Sequence, residues 1–278
     1  YPVVTIFALE EPENHISPHL LGKVMDKVKS ITKLDNTQTI ITSHSPAIIK
    51  RVLPEDVRYF HLTKNAVTEV KKIKLPDDKG EKYKFIKRAV QTYPELYFSK
   101  LVILGEGESE EIVLSKIISS YTGLDEANIS IVPLAGRMVN YLWDLLESLN
   151  IAHITLLDLD YGRYLGGKKR IKDINDELKR FNPNDNELEK IEKECTNLSE
   201  NKKGLLNLTK KLENYDVFFS FPLDLDFMML AAFSDEYKNV ASRGPKTTVD
   251  NREKILDRTL KGKREEKVDY DDNDIELM

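Results

Sequence analysis

Through residues 101–160 short apolar runs alternate with amphipathic stretches, and two of the runs end in acids. Leu101-Val-Ile-Leu104 passes into Gly105-Glu106-Gly107 and then Glu108, Glu110 and Glu111. Ile154-Thr-Leu-Leu157 passes into Asp158-Leu159-Asp160. Continuous apolar runs bounded by turn residues are the pattern of buried parallel strands. A strand at 101–104, a helix at about 109–121, a strand at 129–133, a helix at 138–149 and a strand at 153–157 give a βαβαβ order. That order implies an α/β fold, a mostly parallel sheet with right-handed crossovers. Charged helices at about 171–180, 184–194 and 200–213 follow, poor in apolar residues, and read as a surface insertion at about 165–215. Val217-Phe-Phe-Ser-Phe221 returns as a buried strand, and Leu223-Asp-Leu-Asp226 leads into an apolar helix at 227–233.

The first third has its own rhythm. Val3–Leu9 has the buried-strand pattern and ends in Glu10-Glu11-Pro12-Glu13-Asn14. Ser17 and Pro18 open a helix whose apolar face is Leu20, Leu21, Val24 and Val28. Thr39-Ile-Ile41 leads to Thr42-Ser-His-Ser-Pro46, and strands at 57–62 and 66–73 flank a turn at Lys64-Asn65. Pro76-Asp-Asp-Lys-Gly80 breaks the pattern. The expected division is 1–75, a helical connector at 76–99 with a basic amphipathic helix at 81–93, a second domain at 100–264, and a frayed acidic tail at 265–278.

Composition narrows the classes. The 278 residues carry a net charge of −5, so contact with nucleic acid rests on local patches. One such patch is Arg163, Lys168, Lys169 and Arg170, a candidate DNA grip. The single cysteine, Cys195, excludes an internal disulfide and suits a reducing, cytoplasmic compartment. No apolar run reaches membrane-span length. The chain opens on Tyr1-Pro2, directly before an apolar run, and reads as a fragment lacking an upstream part.

The strand ending in Glu10-Glu11, followed one βα unit later by Ser43-His44-Ser45, resembles the C-terminal half of an ABC-type ATPase core. The resemblance makes Glu10 and Glu11 the Walker B acids and His44 the switch histidine, groups that orient magnesium and water at a γ-phosphate. No G-x-x-x-x-G-K-[ST] loop is present in the sequence, so ATPase activity is not expected of this chain and ATP only of one with the upstream part.

The second constellation resembles the Toprim domain of topoisomerases, primases and nucleases. Oxygen-only donors point to Mg²⁺ or Mn²⁺. In an extended Asp158-x-Asp160 both carboxylates would face one side while Leu159 packs away. Glu110, four residues after Glu106, is a candidate ligand for a second ion, or simply an acid favoured by the helix dipole, as Glu108 and Glu111 are.

A partial ABC-type lobe followed by Toprim resembles the OLD (overcoming lysogenisation defect) nucleases. The resemblance also takes in Ala135-Gly136-Arg137 and Leu223-Asp224-Leu225-Asp226. It implies a metal-dependent DNA endonuclease coupled to ATP, in phage defence or repair, acting as a homodimer or higher homo-oligomer, with a helicase or other defence partner. It implies two ions held by Glu106, Glu110, Asp158, Asp160, Asp224 and Asp226, and charge relief at the phosphate by Arg137 and Lys246. Asp226 stands where the family has Glu, which makes Asp224 the better candidate of the two. Rival readings are a strand-passage or nucleotidyl-transfer enzyme, and a nucleotide-sensing scaffold with an inactive metal site.

Overall fold

A computed structural model describes residues 3–63, 65–73, 75–134, 139–199 and 201–233. The elements run β1 (Thr5–Glu10), α1 (Pro18–Ile31), β2 (Thr37–Thr42), α2 (Pro46–Ile49), β3 (Arg58–Leu62), β4 (Thr68–Lys72) and α3 (Glu81–Thr92). Next come β5 (Leu101–Gly105), α4 (Glu108–Ser119), α5 (Leu124–Ala127), β6 (Ile129–Pro133), α6 (Trp143–Leu149) and β7 (Ala152–Asp158). Last are α7 (Lys168–Phe181), α8 (Asn186–Asn197), α9 (Lys202–Leu212), β8 (Val217–Ser220) and α10 (Leu225–Ala232). The chain gathers into two compact units. Of the described residues, one takes those within 1–102, 123–132 and 141–152, the other those within 103–122, 133–140 and 153–233.

In the first unit β1 and β2 pair in parallel from Thr5↔Thr37 to Glu10↔Thr42, with α1 between them in sequence. Pro18 sits in the first turn of α1, where its missing N–H has no bond to lose. Leu21 and Met25 of α1 pack with Ile48 of α2, joined by Ile16, Ile41, Ala47 and Val52. The expected strand forms, but its expected burial does not: Ile6 is 57% and Phe7 42% exposed. Parallel strands become buried when both sheet faces are covered, and this pair belongs to a two-stranded sheet. β3 and β4 form an antiparallel hairpin from Arg58↔Lys72 to Leu62↔Thr68. The helix expected as a connector is packed. Ile86, Ala89 and Val90 of α3 are buried, Lys82 pairs with Asp144, and Phe85 meets Tyr141 edge-on.

The larger sheet has the order β6-β5-β7-β8 and is parallel. β7 and β8 pair in parallel from Thr155↔Val217 to Asp158↔Ser220. Val102, Leu104, Val132 and Leu157 are fully or almost fully buried, as the apolar runs require. The stretch read as a surface insertion has a core of its own. Ile171, Ile174 and Leu178 of α7, Leu188, Ile191 and Cys195 of α8, and Leu205, Leu208 and Leu212 of α9 are all buried. Their three- and four-residue spacing makes one apolar stripe per helix, enough for a seam despite the charged majority. Asn175, inside that seam, donates to the Leu188 carbonyl at 3.1 Å.

Candidate active site

The second unit brings the acids of the two strand ends together. Gly105 closes β5, and the reason for a glycine is contact: a Cβ there would lie 2.7 Å from the Glu110 Cβ. The chain turns at once into α4, which leaves Glu106 between strand and helix. The Glu106 Oε1 accepts a hydrogen bond from the Asp158 N–H at 3.2 Å and another from the guanidinium of Arg170. Burial pushes the Glu106 carboxyl above its ordinary pKa, against the opposing pull of Arg170.

Asp158 is the last residue of β7. Its Oδ1 is buried and accepts no hydrogen bond. Burial, then the charges of Glu106, Glu110, Asp224 and Asp160, pushes its pKa up to about 8. Asp160 lies beyond the strand with φ 53°, a left-handed backbone, so the expected extended Asp-x-Asp does not form. Leu159 between them is fully buried, as expected. Asp224 caps α10 by accepting from the Phe227 N–H at 2.8 Å, and Asp226 lies in that helix's first turn. Glu110 is 3% exposed, and its Oε2 accepts from the Gly107 N–H at 2.7 Å. It is a helix-start acid, yet its charge also bears on Asp158. Burial raises the Glu110 pKa, and Asp226 and Asp224 add to the rise.

Sequence reasoning missed two cations. The stretch after β7 winds back on itself: Asp160, Gly162, Leu165 and Gly167 all have positive φ, and the Gly167 N–H donates to the Leu159 carbonyl at 2.7 Å. The winding lays Arg163 against Asp160 at 2.8 Å and Asp224 at 2.7 Å, and the start of α7 lays Arg170 against Glu106. Arg170 is 5% exposed. The basic stretch expected to grip DNA is thus turned inward at both arginines. Lys168 donates to the carbonyls of Thr196 and Leu198, and Lys169 pairs with Asp173. A signal for Arg170 was available: it falls on the stripe of Ile174 and Leu178, four and eight residues on.

Among the described residues, no three acidic, histidine or cysteine side chains stand as a ready-made set of metal ligands. The expected set of Glu106, Glu110, Asp158, Asp160, Asp224 and Asp226 is therefore not preassembled. Arg170 and Arg163 engage Glu106, Asp160 and Asp224, and two backbone N–H groups engage Glu110 and Asp224. The donor chemistry still suits a hard divalent cation: every side chain offers carboxylate oxygen, and the buried Asp158 Oδ1 has no other partner. Arg137 and Lys246 lie outside the described residues.

The other strand end is in the first unit. Glu11, with φ 42°, accepts from the Asn14 side chain at 2.6 Å and lies 2.9 Å from the His44 Nδ1. Ser43 donates to Glu13 at 2.5 Å, and Glu10 ends β1 opposite Thr42. Glu11 and His44 are thus neighbours; the His44 side chain is 70% exposed.

Residues 97–160, which contain both acid-bearing strand ends of the larger sheet, match the family model for the TOPRIM domain of proteins like the overcoming lysogenization defect protein. That stretch of the chain is similar to an OLD-type Toprim domain. Residues 2–50 match an AAA domain model described as a putative AbiEii toxin of a type IV toxin–antitoxin system. The chain is 28% identical over 225 residues to Endonuclease GajA of Bacillus cereus (strain HuB5-5), a match that covers 69% of this chain. It spans about a third, 32%, of that relative's length. Among solved structures it is similar to the C-terminal region of the Xanthomonas campestris pv. campestris OLD protein. That match has a TM-score of 0.40 and 23% identity over 59% of this chain and 72% of the other. The C-terminal region of the Burkholderia pseudomallei OLD protein gives 0.41 and 17% over 58% and 74%. Together with the sequence motifs, the family-model match and the relative from Bacillus cereus support a likeness to the OLD family.

Proposed function

We propose that this chain is the OLD-type nuclease module of a DNA endonuclease that hydrolyses phosphodiester bonds with Mg²⁺ or Mn²⁺. The observation that carries the reading is Asp158: a buried carboxylate oxygen with no hydrogen-bond partner, at a strand end that gathers Glu106, Glu110, Asp160 and Asp224. Uncompensated carboxylates packed together raise one another's pKa, and a cation in their midst removes that penalty. Asp158 and Glu106 would hold the first ion, and Asp160 and Asp224, with Glu110 or Asp226 beside them, a second. When bound, such ions supply Lewis acidity toward water and the phosphate oxygens. Glu106 is fixed by the Asp158 N–H and Arg170, so its carboxylate meets the reacting phosphate in one orientation. Arg137 and Lys246 are proposed to offset charge on the scissile phosphate. The endonuclease name of the relative from Bacillus cereus supports the reaction class.

The first unit, with Glu10, Glu11 and His44, is proposed to complete an ATP site with upstream residues, to gate cleavage and to form the homo-oligomer. A defence role with a helicase or similar partner in the cytoplasm rests on family likeness alone. One observation favours the inactive-scaffold reading: arginines already neutralise Glu106, Asp160 and Asp224.

Nicking of supercoiled plasmid with Mg²⁺ or Mn²⁺ separates the two. Glu106→Ala is expected to lower the rate about a thousandfold, within the range of a lost acid–base or ligand group. Absence of nicking by the wild-type chain with either metal, or equal nicking by the variant, would sink the nuclease reading of this site.

A further inference from the structure

One guanidinium joins two of the acids from distant parts of the chain. The Arg163 Nη1 lies 2.8 Å from the Asp160 Oδ1 and 2.7 Å from the Asp224 Oδ2, an acid 61 residues away. All three side chains are largely buried, with 22%, 15% and 18% exposed for Arg163, Asp160 and Asp224. The backbone holds this arrangement. The Arg163 N–H donates to the Asp160 carbonyl at 2.9 Å, and the Gly166 N–H donates to the Arg163 carbonyl at 3.0 Å. At Gly166 a Cβ would stand 1.8 Å from the Asp160 carbonyl oxygen, so only glycine allows the turn to close this tightly. Asp160 and Gly162 take left-handed backbone on either side of Tyr161. The turn therefore presents Arg163 to the acids.

We infer that Arg163 is a built-in counter-cation that holds Asp160 and Asp224 in the metal-free protein and competes with a divalent ion for them. The inference rests on the metal reading above. A guanidinium does not deprotonate in proteins, so raising the pH does not release it, whereas a cation of higher charge can displace it. The balance of charge favours that exchange. Among the described residues, the carboxyl groups of Glu106, Glu110, Asp158, Asp160 and Asp224 outnumber Arg163 and Arg170, and a divalent ion favours their ionised forms. A single positive charge shared by two carboxylates neutralises half of their charge, and a divalent ion neutralises all of it. The Asp160 and Asp224 oxygens that accept from Arg163 are among those a cation between the two acids could use. Arg163 is thus a determinant of metal affinity, and it keeps the acid pair together before the ion arrives.

The test is Mn²⁺ binding to the whole chain, read by the loss of free-ion electron paramagnetic resonance signal and by the rise in melting temperature. Wild type, Arg163→Gln, Arg163→Lys and Asp158→Asn are compared. Arg163→Gln is expected to melt lower than wild type in chelator, to gain more on Mn²⁺ addition, and to bind Mn²⁺ about tenfold tighter, since charged hydrogen bonds no longer compete. Arg163→Lys keeps the charge without the fork, folds if the glutamine variant does not, and is expected to fall between the two. Equal or weaker Mn²⁺ binding by folded Arg163 variants, with Asp158→Asn binding lost, overturns the competition while the metal site stands. No saturable Mn²⁺ binding by wild type or any variant overturns both.

Discussion

Two strand ends in this chain carry adjacent acids, and their settings differ. Glu10 and Glu11 end a strand of a two-stranded parallel sheet whose apolar residues Ile6, Phe7 and Ile40 are exposed. Glu106, just after β5, and Asp158, the last residue of β7, sit at the edge of a four-stranded sheet whose Val102, Leu104 and Leu157 are buried. At the first end the pair is His44 with Glu11, side chains 70% and 38% exposed; at the second it is Arg170 with Glu106, 6% and 11% exposed. The same residue class at the same place in a βα unit thus meets water in one case and a low-dielectric interior in the other. Burial, more than acid content, makes a carboxylate a strong electrostatic device, because interaction energies rise as the effective dielectric falls.

The largest effect expected from this contrast is at Arg170. Arg170→Met removes the buried partner of Glu106 and leaves a buried charge uncompensated, which costs about 3–5 kcal/mol. Urea denaturation in chelator measures it. The double variant Arg170→Met with Glu106→Leu removes both charges and is expected to recover most of the loss. A single variant as stable as wild type would mean that Glu106 is not dependent on its counter-ion, and the contrast between the two ends would collapse. Next in size is the sheet core. Leu104→Ala, at a fully buried position, is expected to lose about 2–5 kcal/mol. Phe7→Ala, with 42% of its surface already exposed, is expected to lose under about 1 kcal/mol in the same measurement.

These contrasts show what the sequence could and could not reveal. Period and turn residues located the strands and the acids at their ends, because both signals are local. Exposure of β1 was not local information: Val3–Leu9 has the composition of a buried strand, and what lies on a sheet face is set by other segments. Arg163 and Arg170 read as a surface patch because their partners are 61 and 64 residues away. Arg170 alone left a trace, its place on the apolar stripe of α7. Arg163 is set by a chain of left-handed residues that includes Leu165, a residue type that does not announce positive φ. Glu110 was legible as a helix-start acid. Its place four residues after Glu106 also made it a candidate for the same pocket, and its charge beside Asp158 depends further on how tightly Gly105 lets α4 approach.

The buried end should also respond to pH. The Asp158 pKa stands at about 8 in the fold against an ordinary value near 3.8. In chelator, between those values, the folded protein keeps a proton that the unfolded chain has released. Stability then falls as pH rises from about 4 to about 8 and levels off above that range. Asp158→Asn carries no such proton, so its melting temperature should exceed that of wild type at pH 8, with the gap closing toward pH 4. Saturating Mn²⁺ should remove the wild-type slope by favouring the ionised carboxylate. A gap that is the same at pH 4 and pH 8 would show that Asp158 does not bear the burial penalty assigned to it.

The smallest effect belongs to the exposed end. His44 lies 2.9 Å from Glu11, yet the imidazole, 70% exposed, keeps most of its water, and the carboxylate, 38% exposed, stays open to solvent. Exposed ion pairs contribute about 0–1 kcal/mol because solvent screens the attraction and two side chains lose freedom to form them. Glu11 also has Asn14 as a donor at 2.6 Å, so removing the imidazole does not strand its carboxylate. His44→Ala is therefore expected to change the urea midpoint by the equivalent of under about 0.5 kcal/mol, and to do so less at high salt. A loss comparable to that of Arg170→Met would place His44 and Glu11 in the same electrostatic class as Glu106 and Arg170, against the difference in their exposure. A small change would leave the pair free for the nucleotide-site role proposed for it above.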